Sequence, residues 1–332
     1  MLANRTHRWT RATILAASTV IASTLGGCGG GSGVGMASTP APIAAAPAPA
    51  PSPPSTPAPM ATVFVPAAAS LPAAPAFPQA AAGGPTLAAP GSAVLPLLQT
   101  VRVDDRRTVS VDTATMSAGA TLALDPAASR ATFNVANPAL GVSNTTLRQD
   151  PNTVFFETVG SSVVRLDFAQ FDWTAYGEWL VFPGGVNPVT TRHEAKFVTG
   201  FQTPGSVMPT TGAARYVGFA RGDAFGTATL DVDFVNRTLT GALTDMQVGN
   251  FEDGYLPFHS LSLSANFSAG QSRFSGTTAV LSGPGNPASP SVGTVGTLAG
   301  SFFGPGAEEL GAVWTLFDGT AYATGSLGAK RH

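Results

Sequence analysis

The 332-residue chain carries 17 Lys and Arg against 19 Asp and Glu, a net charge of −2, and only 11% charged residues. That balance offers no electrostatic footprint for nucleic acid or for an acidic membrane surface. A single cysteine excludes an internal disulfide and a thiolate metal cage, while 38 glycines and 28 prolines point to many turns and to a segment that cannot fold.

Arg5, His7, Arg8 and Arg11 precede an apolar stretch from Ala12 to Thr24. A basic start, a short apolar core and small residues before a cut site make a secretory signal. The core is about a dozen residues, short of the ~20 that a spanning helix needs. It runs into Ser23-Thr24-Leu25-Gly26-Gly27-Cys28, which resembles a bacterial lipobox cleaved after Gly27 and lipidated on Cys28. Residues 1–27 are therefore expected to be a lipoprotein signal peptide. The plainer alternative, a secretory leader with an incidental cysteine, leaves an odd thiol in an oxidising compartment. Lipidation removes that thiol.

From 28 to 97 the sequence is dominated by Ala, Pro, Gly, Ser and Thr, as in Ala46-Pro47-Ala48-Pro49-Ala50-Pro51. Such a segment cannot bury enough apolar surface to offset its ordering entropy, and proline bars both helix and ladder. It is expected to be a disordered tether behind the lipidated cysteine, with an upper reach on the order of 200 Å at ~3 Å per residue. Val63-Phe64-Val65 and Leu95 to Leu98 are apolar islands placed to touch the folded head.

Beyond this the pattern changes to short alternating runs separated by Gly, Asn, Asp and Pro, with no helical stripe. Residues 98–205 include Val109-Ser110-Val111, Thr132 to Val135, Val163 to Phe168 and Tyr176 to Phe182, which predict a small β domain. Residues 206–332 predict eight strands: Tyr216 to Ala220, Leu230 to Phe234, Thr238 to Leu243, Leu261 to Phe267, Arg273 to Thr277, Gly296 to Phe303, Gly311 to Phe317 and Thr320 to Gly328. Eight antiparallel strands with short turns close into a barrel filled by its own side chains. One face of the alternation is apolar, with Leu230, Val232, Phe234, Leu239, Leu261, Leu263 and Phe274. The other carries Thr229, Asp231, Asp233, Thr240, Ser262, Ser264 and Arg273. A cation on a lipid-facing wall costs ~2–4 kcal/mol at mid-bilayer, so the predicted barrel is soluble and packed inward. The expected fold class is all-β: a linker, a small β domain and a soluble eight-stranded antiparallel barrel.

Three passages carry a family resemblance. They are Phe197-Val198-Thr199-Gly200-Phe201-Gln202-Thr203-Pro204 running into Met208-Pro209-Thr210-Thr211-Gly212, then Gly300-Ser301-Phe302-Phe303-Gly304-Pro305-Gly306 through Gly311, and the closing Gly328-Ala329-Lys330-Arg331. With Asp233-Phe234 before a turn and Leu239-Thr240-Gly241 after it, the chain resembles one lobe of transferrin-binding protein B and its relatives, surface lipoproteins of Gram-negative bacteria. The resemblance covers about 175–332 well and 101–175 loosely. It implies a β handle domain followed by an eight-stranded barrel, a lipid anchor in the outer membrane at its cell-surface or periplasmic face, and an outer-membrane transporter as partner. The chain has room for one lobe where transferrin-binding protein B has two, and Ser326-Leu327 stands where relatives usually carry a Phe.

Gly304-Pro305-Gly306 is expected to make a tight turn between strands. Glu309 is then expected to pair with Lys330 or Arg331 as the last strand closes the barrel. Gly218, Gly241, Gly276, Gly300 and Gly311 are expected to leave room for Phe side chains and Trp314. For ligand contact, the acidic loop with aromatic neighbours, Phe251, Glu252, Asp253, Tyr255 and Phe258, is the favoured candidate, because exposed loop aromatics suit protein interfaces. His193, His259 and His332 lack the spacing of a helical zinc site. Since some single-lobe relatives bind haem or haemoproteins, the resemblance makes His193 or His259 a candidate haem ligand, with Met208 as a second; solvated surface histidines are the alternative. Asp231 and Asp233 read as a cation site or as an exterior polar face. No nucleophile turn or Walker-type glycine loop is present, so no catalysis is expected. The reading is an outer-membrane-anchored binding lipoprotein that captures a protein or a haem- or iron-related ligand for uptake. The alternative is a surface adhesin or host-factor-binding lipoprotein with no transport role.

Overall fold

Among the described residues every regular element is a β-strand, apart from 3-10 turns at Pro126–Ala128 and Gly205–Val207. The computed structural model describes residues 75–104, 109–111, 119–135, 140, 142–150, 154–183, 192–250, 254–283 and 289–332. The leader and Cys28 lie outside these residues. All the described residues fall within one compact unit, Phe64–His332.

The first sheet has ten strands: β1 (Leu95–Pro96), β2 (Leu98–Asp104), β3 (Val109–Val111), β4 (Ala120–Asp125), β5 (Arg130–Val135), β6 (Thr145–Gln149), β7 (Phe155–Val159), β8 (Ser162–Gln170), β9 (Thr174–Phe182) and β10 (Arg192–Gly200). β4 to β10 form an antiparallel meander. β1 and β2 are one extended run interrupted at Leu97. Its first part pairs with β4 and its second with β10, so the run bridges the two ends of the meander and curls the sheet almost into a barrel. The Leu97 N–H bonds the Ala120 carbonyl (2.9 Å), and the Thr199 hydroxyl bonds the Pro96 carbonyl (2.7 Å). Phe133, Leu147, Leu166, Trp179 and Phe197 fill the interior. Each such side chain contributes about 1.5–3 kcal/mol by leaving water. The Trp179 indole N–H, buried with them, is satisfied by the Gln99 side chain at 2.9 Å.

This handle is larger than the sequence predicts, and it starts earlier. Residues 75–97 fall in the stretch assigned to the linker, yet Phe77, Ala80, Leu87, Leu95 and Leu97 are buried. The Phe77 ring stands edge-on to Phe303 at 5.4 Å, and the Leu87 N–H bonds the Asp172 carbonyl at 2.8 Å. A few large apolar anchors are enough to hold a proline-rich run against a ready-made surface. The fold therefore already includes residue 75, and a linker boundary at 97 is too late.

The second sheet contains β11 (Ala213–Gly222), β12 (Phe225–Asp233), β13 (Thr238–Asn250), β14 (Gly254–Pro257), β15 (Ser260–Phe267), β16 (Arg273–Ser282), β17 (Val295–Phe303), β18 (Glu309–Phe317) and β19 (Tyr322–Arg331). Its order, β12-β11-β19-β18-β17-β16-β15-β13, is closed by pairing of β12 with β13. These eight strands form the barrel, and each of the eight predicted runs overlaps one of them, with Phe234, Thr320 and Ala321 falling just outside. β14, which the sequence reading places in a loop, pairs only with the outer end of β13.

The barrel is packed inward, as the alternation predicts. Leu230, Val232, Phe234, Leu239, Leu261, Leu263 and Phe274 share one buried cluster with Trp314 and Leu327. Phe302 is its aromatic hub, with ring centroids at 5.3 Å from Phe267, 5.4 Å from Phe274, 5.9 Å from Phe234 and 6.1 Å from Tyr216. The predicted glycine roles hold in part. A Cβ at Gly300 would strike the Phe274 ring, whereas Gly218, Gly241 and Gly276 abut the backbone of a neighbouring strand. The glycine that makes room for Trp314 is Gly325. Gly311 faces out of the barrel, against Val198 and Thr174 of the handle.

Handle and barrel meet over the outward faces of β17, β18 and β19. Leu98, Tyr176 and Val198 pack there against Ala299, Phe303 and Val313. Gly328 lets the Tyr176 ring lie against β19, and burial pushes the Tyr176 hydroxyl up to about 12. Polar clasps flank this apolar patch. On one side the Glu309 carboxylate accepts the backbone N–H groups of Asp172 (2.9 Å) and Trp173 (3.0 Å), and Lys330 pairs with Asp172 at 2.8 Å. The expected Glu309–Lys330 pair is thus replaced by a staple between domains. Glu309 and Lys330 are cross-strand neighbours, but the handle turn supplies better partners to both. Arg331 is exposed at the end of β19, and the Glu309 side chain is bonded to the handle instead.

On the other side Lys196 of β10 is buried among Glu178 of β9, Glu194 of β10 and Asp223 at the β11–β12 turn. Burial opposes its charge, but Asp223, Glu194 and Glu178 outweigh that and hold the ammonium above its usual range. Arg221 of β11 adds a pair to Asp167 of β8 at 3.1 Å.

Candidate ligand-contact surface

The two ends of the barrel differ. At one, the β12–β13, β15–β16 and β17–β18 connections are tight turns, with positive φ at Arg237, Gly270, Gly304 and Ala307. At the other, β13 runs seven residues past its last pairing with β15, from 244 to Asn250, and turns back through β14, and 283–294 joins β16 to β17. Binding surfaces are disproportionately built from such excursions on a rigid scaffold.

The excursion is shaped by a bulge. Between Thr227↔Thr244 and Phe225↔Gln247 the register shifts, and Asp245 takes φ +53°. The bend turns Met246 into the barrel, beside Gly226, and lets the β13–β14 hairpin lean along β12. Tyr255 on β14 thereby meets Phe225 on β12 edge to face, with centroids 5.3 Å apart at 82°. Tyr255 is 70% exposed and Phe225 38%. Phe219, 60% exposed, faces outward on β11 opposite Thr227, which makes it the diagonal neighbour of Phe225. Val217 continues the patch along β11. The neighbouring wall is polar. Arg215 and Asp231 pair across β11 and β12 at 3.0 Å, and Thr229, Thr240 and Ser264 point outward beyond them. Three exposed aromatics on an otherwise polar wall are what an interface core requires.

The structure redistributes the residues singled out from sequence. Tyr255 belongs to the patch. Phe258 does not, because it is buried in the barrel core and plugs this end. Phe251, Glu252 and Asp253 lie outside the described residues. Val217, Phe219 and Phe225 were missed, although Tyr216-Val217-Gly218-Phe219-Ala220 breaks the apolar–polar alternation of a half-buried strand. That break is the readable signal.

His193 sits on β10 in the handle and His259 just before β15 in the barrel, so the two belong to different domains. His259 is buried beside Phe258, with Nδ1 lacking a partner among the described residues. Met208 is packed in the barrel core, which removes it as a second haem ligand. Among the described residues no group of three His, Cys, Asp or Glu is placed to hold a metal ion. Asp231 is committed to Arg215. Asp233 accepts the backbone N–H groups of Asn236 and Val235, which hold its carboxyl below the usual range and close the β12–β13 turn. The cation reading of this pair gives way to the polar-face reading. Gly304 takes φ +86°, so the Gly304-Pro305-Gly306 passage is the expected turn, and the Tyr216 hydroxyl reaches across to the Ala307 carbonyl.

Residues 208–331 match the family model described as C-lobe and N-lobe beta barrels of Tf-binding protein B. Transferrin-binding protein B of Haemophilus influenzae (strain 86-028NP) is 31% identical over 160 residues, which is 42% of this chain and 24% of that protein. The chain thus spans about a quarter of that relative's length. Among solved structures, a tryptophan-to-alanine variant of transferrin-binding protein B from Haemophilus parasuis Hp5 is 17% identical with a TM-score of 0.44, covering 71% of this chain and 45% of that one. The isotype 1 protein from serogroup B Neisseria meningitidis is also 17% identical, with a TM-score of 0.43 over 71% of this chain and 43% of that one. Residues 208–331 are thus similar to the lobe barrels of Tf-binding protein B.

Proposed function

We propose that this chain is the head of a lipoprotein anchored in the outer membrane through Cys28, and that it captures an iron- or haem-carrying protein for uptake by an outer-membrane transporter. The observation that carries the reading is the exposed Phe219–Phe225–Tyr255 patch at the loop-bearing end of the barrel, beside the polar wall of Arg215, Asp231 and Thr229. Aromatic side chains of this kind form the desolvated centre of protein interfaces, where a few residues hold most of the affinity. The handle supports the same role. Clasped to the barrel by Glu309 and by the Lys196 cluster, it holds the patch in one orientation, which lowers the ordering cost of binding. The 31% identical relative is named for binding transferrin, so transferrin is the first ligand to test.

The experiment is biolayer interferometry of the purified head over immobilised iron-loaded transferrin, lactoferrin and haemoglobin. Saturable binding to one of them, together with expression that rises under iron starvation, supports the uptake reading. Binding to none of them, with expression indifferent to iron, overturns it in favour of adhesion. Metabolic labelling with a fatty acid tests the anchor, and a Cys28→Ala chain must lose the label.

A further inference from the structure

The handle has an open mouth. Its sheet is almost closed, but β6 and β7 pair at only two positions, Arg148↔Phe156 and Gln149↔Phe155, before they diverge. Beneath this gap, between the ends of β4, β5, β6 and β8, lies a cavity of about 280 Å³. Leu124, Phe155 and Phe168 form its floor. The Phe155 and Phe168 rings are stacked, with centroids 5.4 Å apart and planes at 13°. Arg130, Gln149 and Gln170 stand at the rim. Among the described residues no carboxylate pairs with Arg130, and neither glutamine amide has a side-chain partner. Arg130 is the single charged side chain lining the cavity.

We propose that this mouth binds a small carboxylate with an apolar body. An apolar cavity with a few convergent polar groups is the usual form of a small-molecule site, and the mouth of a closed sheet is a common place for one. The phenyl floor takes the apolar body. The Arg130 guanidinium takes the carboxylate through charge-assisted hydrogen bonds, which a neutral amide cannot reproduce. The two glutamines supply donors and acceptors for whatever polar group lies beside the carboxylate. The cavity belongs to the handle and shares no residue with the aromatic patch on the barrel, so the inference stands apart from protein capture.

The test is isothermal titration calorimetry of the purified chain with 1-naphthoate, and with 1-naphthamide as its neutral isostere. Saturable one-site binding of naphthoate is expected, with Arg130→Gln about tenfold weaker because one charge-assisted interaction is lost. Naphthamide should bind more weakly and be indifferent to Arg130→Gln. Gln170→Trp, which fills the mouth, should abolish binding of both. Arg130 and Gln170 are exposed, so both variants keep the core intact. Absence of saturable naphthoate binding overturns the proposal, as does binding unchanged by either variant.

Discussion

Replacing Lys196 by Met is the sharpest perturbation of the handle–barrel junction. The ammonium lies 3.4 Å from Asp223 and 3.9 Å from Glu194, and it donates to Glu178. Methionine keeps most of the side-chain volume and removes the charge, which leaves three clustered carboxylates with the Arg192 guanidinium, 3.1 Å from Glu194, and the Thr324 donors to Asp223 as partial compensation. Removing one partner of a buried ion cluster typically costs about 3–5 kcal/mol, because the remaining charges stay desolvated. Glu194 is as buried as Lys196, but Glu178 and Asp223 keep 24% and 19% of their side-chain surface in water. The lower end, about 3 kcal/mol, is therefore expected. For a fold of this size that lowers Tm by roughly 6–12 °C. The assay is thermal unfolding followed by circular dichroism, with Lys330→Met as the comparison. Lys330 makes a single exposed pair with Asp172, and pairs of that kind contribute less than about 1 kcal/mol. Because the folded-state pKa of Lys196 is raised, its contribution is complete below the unfolded value of 10.5 and is lost only as pH rises through the folded one. The Tm difference must then be constant from about pH 6 to 9. A Lys196→Met chain that melts within a degree or two of the native one, or no lower than Lys330→Met, refutes the clasp.

Glu309→Gln should lose about 1–2 kcal/mol, since the amide accepts one of the Asp172 and Trp173 N–H groups and turns its own donor toward the other. Burial raises the Glu309 carboxyl against those two donors, so its charge opposes folding increasingly as pH rises through the folded pKa. Urea unfolding at pH 4 and pH 7 should show that dependence in the native chain and a weaker one in the variant. At Asp318, the N–H groups of Ala321, Ser291 and Thr320 hold the carboxyl far below its usual range and tie the β18–β19 turn to the connection before β17. Its contribution is present above the unfolded pKa and lost as pH falls through the depressed folded one. Hydrogen exchange at residues 289–294 should therefore be faster in Asp318→Ala than in the native chain at pH 6, with the gap narrowing only at strongly acid pH. Gly325→Val should be poorly tolerated, because its Cβ would fall within the Trp314 indole. Overpacking of this kind costs about 1–3 kcal/mol, to be read from urea midpoints.

The barrel was legible because its strands are half-buried and alternate. Leu230-Asp231-Val232-Asp233-Phe234 and Leu261-Ser262-Leu263-Ser264 state both the period and the inward face. The handle was less so. β6 (Thr-Thr-Leu-Arg-Gln) carries one large apolar residue, and β1 is two residues long, so neither has a period to read. Residues 75–97 were hidden by their alanines and prolines, since their attachment rests on isolated anchors such as Phe77 and Leu87. At the candidate site Tyr255 was readable from its loop, but Phe258 was misassigned because periodicity cannot tell an aromatic that plugs a barrel end from one that faces water. Phe219 and Phe225 reach Tyr255 only through a bulge at Asp245, a backbone device that no residue pattern announces. Glu309 was recognised as important, yet its partners are backbone N–H groups more than a hundred positions away.

The most direct test joins the patch to binding. A chain carrying Phe219→Ser, Phe225→Ser and Tyr255→Ser changes only exposed side chains, so its melting temperature should stay close to the native value. Over a surface of the iron carrier that the native head retains, it should lose at least a hundredfold in affinity, as expected when two or three central aromatic residues are removed from an interface. Unchanged affinity in a folded triple variant would place the ligand elsewhere on the molecule and contradict the account.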